Sequence, residues 1–202
     1  MTDGEIWAKA LYTWEVGAKE LLRLRDAIDP SAFLTCVKVI AECKGRILTA
    51  GVGTSGAAAK KIAHTLSCVE RPSFFLSPGD AVHGELGAAQ KGDVAIVISK
   101  GGGTREILNI LPALQTKGVY IIGVTENEDS PLAQNSNLVM KVRIQREADS
   151  FNMLATTSTL AVIAVFDAVA IALMEYTHYT KEQFALIHPG GAVGERLSKK
   201  EP

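Results

Sequence analysis

The chain has 202 residues, with 21 basic and 22 acidic side chains and a formal net charge of −1. This length fits one domain, so residues 1–202 are expected to form a single unit. Because the charge is balanced and has no long run of one sign, it argues against partners such as nucleic acid or an anionic membrane and favours a small molecule or another copy of the chain.

The first residues, MTDGEIWAKALYTW, lack the basic stretch, apolar core and cleavage site of a signal peptide, which predicts a cytoplasmic protein. Three cysteines are an odd and sparse set for such a chain. We therefore expect buried thiols at Cys36, Cys43 and Cys68, rather than a disulfide or a metal site.

Apolar residues recur at helical spacing from residue 4 to residue 27, which predicts an amphipathic helix. Asp29 and Pro30 then supply a cap and a first turn for a second helix that ends near Cys43. Both helices precede the first strand. Residues 1–44 are therefore predicted to be a helical N-terminal extension that serves oligomer contacts.

From residue 45 onward, short β-rich runs alternate with helical stretches. Such alternation predicts right-handed crossovers and a parallel sheet between two helix layers. The predicted fold class is α/β, a three-layer αβα sandwich with a five-stranded parallel sheet within residues 45–198. The predicted strands are 46–51, 73–77, 93–99, 119–126 and 138–142, and the predicted helices are 55–69, 104–117 and 156–177.

The longest apolar stretch runs from Leu160 to Met174. It is shorter than the roughly 20 apolar residues that a bilayer crossing needs, and Asp167 falls near its middle. We therefore predict a helix buried on nearly all sides, inside the protein or at a subunit contact, and no membrane span.

Two glycine-rich loops are expected to meet at one edge of the sheet. In a flavodoxin-like order, the loops after the first and third strands lie together there, and here they are GVGTSG and SKGGGT. Each leads into a helix, whose unpaired N–H groups and dipole favour an anion. The predicted contacts to one phosphate monoester are Gly53, Thr54, Ser55, Ser99, Lys100 and Thr104.

GVGTSG also matches the G-x-G-x-x-G pattern of dinucleotide-binding turns. An NAD site further requires an acid at the end of the second strand to hold the ribose hydroxyls. That strand ends at Ser77, and the nearest acid, Asp80, comes later, in a turn. We therefore favour a single phosphate over NAD as the ligand of this loop. The simpler alternative is that the glycines only allow a tight turn and bind no ligand.

Five segments, in this order and spacing, resemble the sugar isomerase (SIS) domain of arabinose 5-phosphate isomerases. They are GVGTSG, SPGDAVHGELG, SKGGGTREI, READSFNMLATTST and ALIHPGGAVG, and the resemblance extends from about residue 40 to residue 198. It implies the flavodoxin-like SIS fold, the catalytic domain alone without the CBS pair of many members, and a homotetramer with shared active sites.

The resemblance implies an aldose–ketose isomerase, with D-arabinose 5-phosphate and D-ribulose 5-phosphate as substrates, in lipopolysaccharide or capsule biosynthesis. Such a reaction moves a proton between C2 and C1 through an enediolate, so it needs a base but no redox cofactor. Glu147 and Glu106 are the acids at family positions, and partial burial is expected to raise the proton affinity of the base. By themselves, Glu106 also fits a first-turn helix acid and Glu147 a solvated loop charge.

His83 in HGELG and His188 in HPGG complete the predicted catalytic set, because imidazole can carry protons near neutral pH. Each also fits a structural histidine that hydrogen-bonds a loop. The resemblance implies that His188 reaches the cleft of a neighbouring subunit and helps to open the furanose ring. Thr156, Thr157 and Ser158 either bind substrate or cap the last helix.

The chain departs from the family pattern at two places. Thr54 stands where arabinose 5-phosphate isomerases commonly have lysine, and SKGGGT replaces a turn of the Ser-Asn-Ser-Gly-Glu-Ser type. Lys100 is the candidate to replace the missing charge. These departures leave two alternatives open, a non-catalytic phosphosugar sensor and an isomerase of a longer sugar phosphate such as sedoheptulose 7-phosphate.

Overall fold

In the computed structural model, helices cover both faces of a five-stranded parallel sheet. The structure describes residues 1–191 and residue 194, so the predicted domain end at residue 198 lies outside the described residues. The helices are α1 (Asp3–Ala27), α2 (Pro30–Glu42), α3 (Thr54–Ser67), α4 (Pro78–Ala81), α5 (Arg105–Thr116), α6 (Pro131–Gln134), α7 (Thr157–Tyr176) and α8 (Lys181–Ile187). The strands are β1 (Ile47–Gly51), β2 (Ser73–Phe75), β3 (Val94–Ile98), β4 (Tyr120–Thr125) and β5 (Leu138–Lys141).

The strands lie in the order β2-β1-β3-β4-β5, and every neighbouring pair is parallel. This is the flavodoxin-like order, and it confirms the predicted α/β sandwich. From β1 the chain moves outward to β2, and from β3 it moves the other way to β4. The register pairs Gly51 with Ile98, so the two glycine-rich loops start side by side at the carboxyl edge.

Alternate residues of the central strand β3 face opposite helix layers. Val94, Ile96 and Ile98 belong to an apolar cluster that includes residues of α2, α3 and α7. Ala95 and Val97 belong to a second cluster that includes residues of α4, α5 and α6. Two apolar cores, one on each side of the sheet, therefore hold the three layers together.

The two leading helices begin at side-chain caps. Thr2 and Glu5 form a capping box at the start of α1. The carboxylate of Asp29 accepts hydrogen bonds from the backbone N–H groups of Ser31 (3.1 Å) and Ala32 (3.2 Å) at the start of α2. Because α1 and α2 both pack against α7, and α2 also against β5, they belong to one helix layer of the sandwich.

Helix α7 has the length and composition of a membrane-crossing helix, but one side of it packs against α1, α2 and α3. Phe166 is buried in the core, and Asp167 forms an ion pair with Lys61 of α3. The expectation of burial on nearly all sides is wrong for the single chain. Only 39% of the most apolar window of the helix is buried, and Leu160 and Ile171 are 50% and 62% exposed.

The cysteines differ in burial. Cys36 is completely buried, and its burial raises the pKa of the thiol to about 12. Cys43 and Cys68 are only partly buried, so the expectation of buried thiols is wrong for these two. Cys43 is at the surface because α2 ends there, and Cys68 because it closes α3. All three, which lie within the described residues, are free.

Candidate active site

A cleft of about 490 Å³ opens at the carboxyl edge of the sheet. It is bounded by the loops after β1 and β3, the ends of β4 and β5, and the start of α7. Its apolar floor comes from the strand ends, and its polar lining is Thr54, Ser55, Lys100, Thr125, Ser158 and Thr159.

The glycines of GVGTSG allow the strand and the helix to approach closely. A Cβ at Gly51 would lie 2.6 Å from the backbone carbonyl of Ser55, and one at Gly56 would lie 2.8 Å from the carbonyl oxygen of Gly51. Gly53 has a φ of +60°, which favours glycine. Thr54 and Ser55 then begin α3, and their backbone N–H groups donate to no acceptor among the described residues. The start of α3 thus offers free donors at the cleft.

The second loop, SKGGGT, is held by internal bonds. Ser99 is only 3% exposed, and its hydroxyl lies 2.8 Å from that of Thr104. The backbone N–H of Ser99 donates to Val124, and that of Gly102 donates to Ser99. Thr104 precedes α5 without capping it by its side chain, because its hydroxyl is on Ser99. Neither residue lines the cleft, so this loop meets the cleft through Lys100.

The carboxylate of Glu147 is completely buried and accepts hydrogen bonds from several donors. Oε2 accepts from the backbone N–H groups of Thr156 (3.1 Å) and Ser158 (3.2 Å), and Oε1 accepts from Lys100 Nζ (3.0 Å) and the Ser158 hydroxyl. Its own N–H donates to Asn152 Oδ1 at 2.6 Å. The simpler interpretation of Glu147 as a solvated loop charge is therefore wrong.

These donors determine the pKa of Glu147. Burial raises the pKa of the carboxyl, but hydrogen bonds from Ser158 and Lys100 outweigh the burial and hold the pKa below its usual value. The expectation that partial burial would raise the proton affinity is therefore wrong for this residue. The start of α7 also favours the ionised form, since a helix N-terminus attracts negative charge.

Lys100 lies between two cavities. It lines the cleft and also a second cavity of about 520 Å³, which Glu147, Arg143 and Glu126 line as well. Its backbone carbonyl accepts from the Thr125 hydroxyl and from the N–H of Glu126, both at 2.9 Å. Glu147 thus stands in the wall between the two cavities, with its partner Ser158 on the cleft side.

Two predicted residues lie outside the cleft in the single chain. Glu106 is exposed in the first turn of α5, and His83 is exposed in the turn after α4. Neither side chain forms a hydrogen bond or ion pair with another described residue. The geometry of one chain therefore brings together Thr54, Ser55 and Lys100 at the cleft. Glu147 lines the second cavity and is bonded to Lys100.

His188 ends α8, also outside the cleft. Its ring stacks on Phe184 with centroids 3.9 Å apart, and Nδ1 lies 2.9 Å from the carbonyl oxygen of Phe184. Its neighbours Leu186 and Ile187 are exposed. Part of the HPGGAVG segment, residues 192 and 193, lies outside the described residues.

The sequence left the role of Ser158 open, and in the structure this cleft residue donates to Glu147 through its backbone N–H and its hydroxyl. Two further residues of the site were not identified from the sequence. Asn152 accepts the backbone N–H of Glu147, and its own backbone is in the left-handed region, with a φ of 58°. Glu20 of α1 is a buried carboxyl group bonded to Gln145. Glu20 lies on the same buried face of α1 as Val16 and Gly17, and an acid at such a position indicates a partner inside the protein.

The described residues form no candidate metal centre. In that part of the chain, no group of three or more His, Cys, Asp or Glu side chains is arranged to hold a metal ion. The cleft itself offers hydroxyl groups, backbone N–H groups and an ammonium group, which are donors to an anion.

The profile of the SIS domain family matches residues 40–172. Arabinose 5-phosphate isomerase KdsD of Pseudomonas aeruginosa is 39% identical over 182 residues, which are 87% of this chain and 56% of that protein. The chain therefore spans little more than half the length of this curated relative.

Two solved structures superpose along nearly the whole chain. A candidate sugar-phosphate isomerase of Listeria monocytogenes gives a TM-score of 0.93 at 52% identity, covering 94% of this chain and 100% of that one. The protein c3406 of E. coli CFT073, in complex with arabinose 5-phosphate, gives a TM-score of 0.89 at 36% identity and the same coverage.

Proposed function

The chain belongs to the SIS domain family, and on that premise we propose that it is an aldose–ketose isomerase that interconverts D-arabinose 5-phosphate and D-ribulose 5-phosphate. The observation that carries the proposal is the Glu147 carboxylate, shielded from water and bonded to the cleft residue Ser158. The substrate follows from the relatives, since KdsD is named an arabinose 5-phosphate isomerase and the E. coli protein holds the same sugar phosphate.

The phosphate is proposed to sit at the start of α3. Free N–H groups of Thr54 and Ser55, their hydroxyls, and the bare backbone of Gly53 offer donors to a dianion there. Ser99 and Thr104 support the opposite loop. Holding the phosphate fixes the sugar carbons relative to the acid, which is what an intramolecular proton transfer requires.

Glu147 is proposed to take the proton from C2 and return it to C1 through the enediolate. Its low pKa keeps the carboxylate ionised at neutral pH, so it is ready to accept a proton. The same four donors weaken it as a base, because they stabilise the charged form. We infer that substrate binding removes at least one donor, because this would raise the pKa of the carboxyl and make the carboxylate a stronger base.

Lys100 is the donor that we propose leaves Glu147. Its side chain is 40% exposed, whereas the other donors belong to the ordered start of α7. The phosphate dianion attracts the Lys100 ammonium, which also supplies the charge that Thr54 lacks relative to the family lysine. Phosphate binding and activation of the base would then be one event.

The complete site is proposed to form in a homotetramer, because His83, Glu106 and His188 lie away from the cleft in one chain. Exposed apolar residues support assembly. Trp7 and Trp14 on α1 are 57% and 59% exposed, and α7 and α8 add further apolar side chains at the surface. His188 from a neighbouring subunit would then open the furanose ring, and His83 and Glu106 would move the second proton of the isomerisation, from O2 to O1.

A phosphosugar sensor without turnover is the second candidate. The observation that favours it is the saturation of Glu147 by four donors, which is the arrangement of a structural acid as much as that of a base. A longer substrate such as sedoheptulose 7-phosphate is a variant of the isomerase proposal, because the cavity beyond Lys100 offers room for additional carbons.

The proposed setting is the reducing cytoplasm, with the product used for lipopolysaccharide or capsule sugars. Three free cysteines are compatible with that compartment. No cofactor is part of the proposed reaction, since proton transfers alone convert the aldose to the ketose.

Proton NMR in deuterated water tests the proposal. The protein is incubated with arabinose 5-phosphate, ribulose 5-phosphate or sedoheptulose 7-phosphate, with Glu147→Gln as the matched control. The isomerase predicts ketose product that carries solvent deuterium at C1. Tight binding of every sugar without any exchange would instead identify a sensor, and exchange on the heptose alone would identify the longer substrate.

A further inference from the structure

The segment that carries Glu147 lies beyond the end of the sheet ladder. Strand β5 ends at Lys141, and Val142 makes the last ladder bond, from its N–H to Thr125 (3.0 Å). Among the residues that the structure describes, 143–148 make no backbone-to-backbone hydrogen bond. Side chains from other elements must therefore fix the path of this segment.

Helix α1 supplies one of these side chains. The carboxyl group of Glu20, 3% exposed, accepts the backbone N–H of Gln145 at 3.0 Å. The same Oε2 atom accepts from Arg23 at 3.1 Å, an ion pair that holds the Glu20 side chain in place. The contact lies two residues before Glu147 and joins parts of the chain that are 125 residues apart.

A second contact from α1 reaches the next residue. The guanidinium of Arg146 lies 5.7 Å from the ring centroid of Tyr12, and its Nε donates to the carbonyl oxygen of Glu147 at 3.3 Å. Tyr12 and Glu20 are two helical turns apart, so one side of α1 runs along the segment. The two contacts thus fix the N–H of Gln145 and the carbonyl of Glu147, on either side of the Arg146–Glu147 peptide.

We propose that Glu20, assisted by Tyr12, is a positioning residue for Glu147. By fixing the N–H of Gln145, it sets where the Glu147 carboxylate stands relative to the substrate carbon. A displacement of about 1 Å in a catalytic group costs on the order of a hundredfold in rate, so such a contact matters for turnover. The inference rests on the proposed function, and it assigns a role to α1, which lies outside the family match of residues 40–172.

Three variants of α1 test the proposal by steady-state kinetics with arabinose 5-phosphate. Glu20→Leu removes the acceptor, Glu20→Gln keeps an acceptor oxygen, and Glu15→Leu changes an exposed acid of the same helix. For Glu20→Leu we expect kcat to fall about ten- to a hundredfold with KM within about twofold. Glu20→Gln should recover most of kcat, and Glu15→Leu should match wild type.

Hydrogen exchange of the backbone amides supplies a readout that does not depend on turnover. In Glu20→Leu the amide of Gln145 and its neighbours to residue 148 should exchange faster, while amides of β3 and β4 keep wild-type protection. A folded Glu20→Leu protein with wild-type kcat and wild-type exchange at Gln145 would overturn the proposal. If Glu20→Leu does not fold, Tyr12→Leu takes its place, and the exchange readout moves to the amides of residues 146–148, because Tyr12 contacts Arg146. Wild-type kcat together with wild-type exchange at these amides would then overturn the proposal.

The two proposals fail in different ways. If wild type converts no sugar phosphate, the proposed function is wrong, and amide exchange at Gln145 still decides whether α1 fixes the segment. If wild type is active while the α1 variants keep both kcat and exchange rates, only the positioning role is lost. A higher KM with unchanged kcat would also overturn the positioning role, because that result would place Glu20 in substrate binding.

Discussion

Lys100 Nζ lies 3.0 Å from Glu147 Oε1, which joins the loop after β3 to the segment after β5. The pair lies at the boundary between the cleft and the second cavity. An ion pair of this kind, with one partner buried and the other 40% exposed, can open at lower cost than one that is buried on both sides. It is therefore the most informative contact of the site to change.

The first prediction concerns Lys100→Met. Removing the ammonium removes one donor and one positive charge from the Glu147 carboxylate, so its pKa should rise from its lowered value towards 4.5. Because the proposed reaction requires the ionised carboxylate, the acid limb of kcat/KM should move to higher pH. Lys100→Arg keeps the charge and should keep the limb in place. An acid limb at the same pH in wild type and Lys100→Met would mean that Lys100 does not influence the pKa of the base.

The second prediction concerns the base itself. Glu147→Gln should reduce the exchange of substrate C2 hydrogen with solvent by about 10²–10⁴-fold, the usual contribution of a general base. Affinity for inorganic phosphate, measured by calorimetry, should stay within about threefold, because the phosphate is proposed to bind at α3. Glu106→Gln is the comparison variant. If it loses more of the C2 hydrogen exchange than Glu147→Gln does, Glu106 is the carbon base instead of Glu147.

The third prediction concerns the loop after β3. Ser99→Ala with Thr104→Ala removes the 2.8 Å bond between the two hydroxyls, which supports the loop opposite the proposed phosphate site. A lost hydrogen bond is worth about 1 kcal/mol, so the dissociation constant for phosphate should rise by about fivefold. Thr35→Ala, which removes an exposed hydroxyl on α2, is the matched control. Unchanged affinity in the double variant would mean that this loop does not help to hold the phosphate.

The fourth prediction links Glu147 to unfolding. Its pKa in the folded protein lies below the ordinary value of 4.5, so folding favours the ionised form. The resulting stabilisation is complete above 4.5 and is lost as pH falls through the folded-state pKa. The melting temperature of wild type should therefore exceed that of Glu147→Gln near neutral pH, and the gap should narrow in acid. A gap that does not depend on pH would contradict this linkage.

The fifth prediction tests the shared site. Glu147→Gln and His188→Asn should each be nearly inactive alone. If His188 acts in a neighbouring subunit, mixed assemblies should recover about a quarter of wild-type activity at equal mixing, because random assortment rebuilds that share of intact sites. Each variant mixed with itself is the control. Mixed assemblies without recovered activity would mean that each site comes from one chain.

Much of the fold was predictable because local signals agreed with the global pattern. Near-continuous apolar runs located β3 and β4, and the glycine loops indicated where the strand order reverses. Strand β2 is shorter than the predicted 73–77 because Ser77 caps α4, which starts at Pro78. The short helices α4 and α6 were not predicted, although each begins with a Ser-Pro pair that was a readable start signal.

The site was harder to predict because its properties depend on contacts between distant residues. The sequence identified Glu147 and Lys100 separately, but the sign of the pKa shift at Glu147 depends on their meeting across 47 positions. Helix α8 was also missed, although Thr180 and Gln183 form a capping box that the sequence displays. No local pattern connects Glu20 to Gln145.

Glu147 fastens the first turn of α7 to the segment after β5, because Thr156 and Ser158 both donate to it. A lineage that gave up catalysis by mutating this acid would lose a structural anchor in the same step. Loss of Lys100 or His188 would leave this anchor in place. Glu147 is therefore expected to tolerate substitution less well than either of them, for the stability of the start of α7 as well as for turnover.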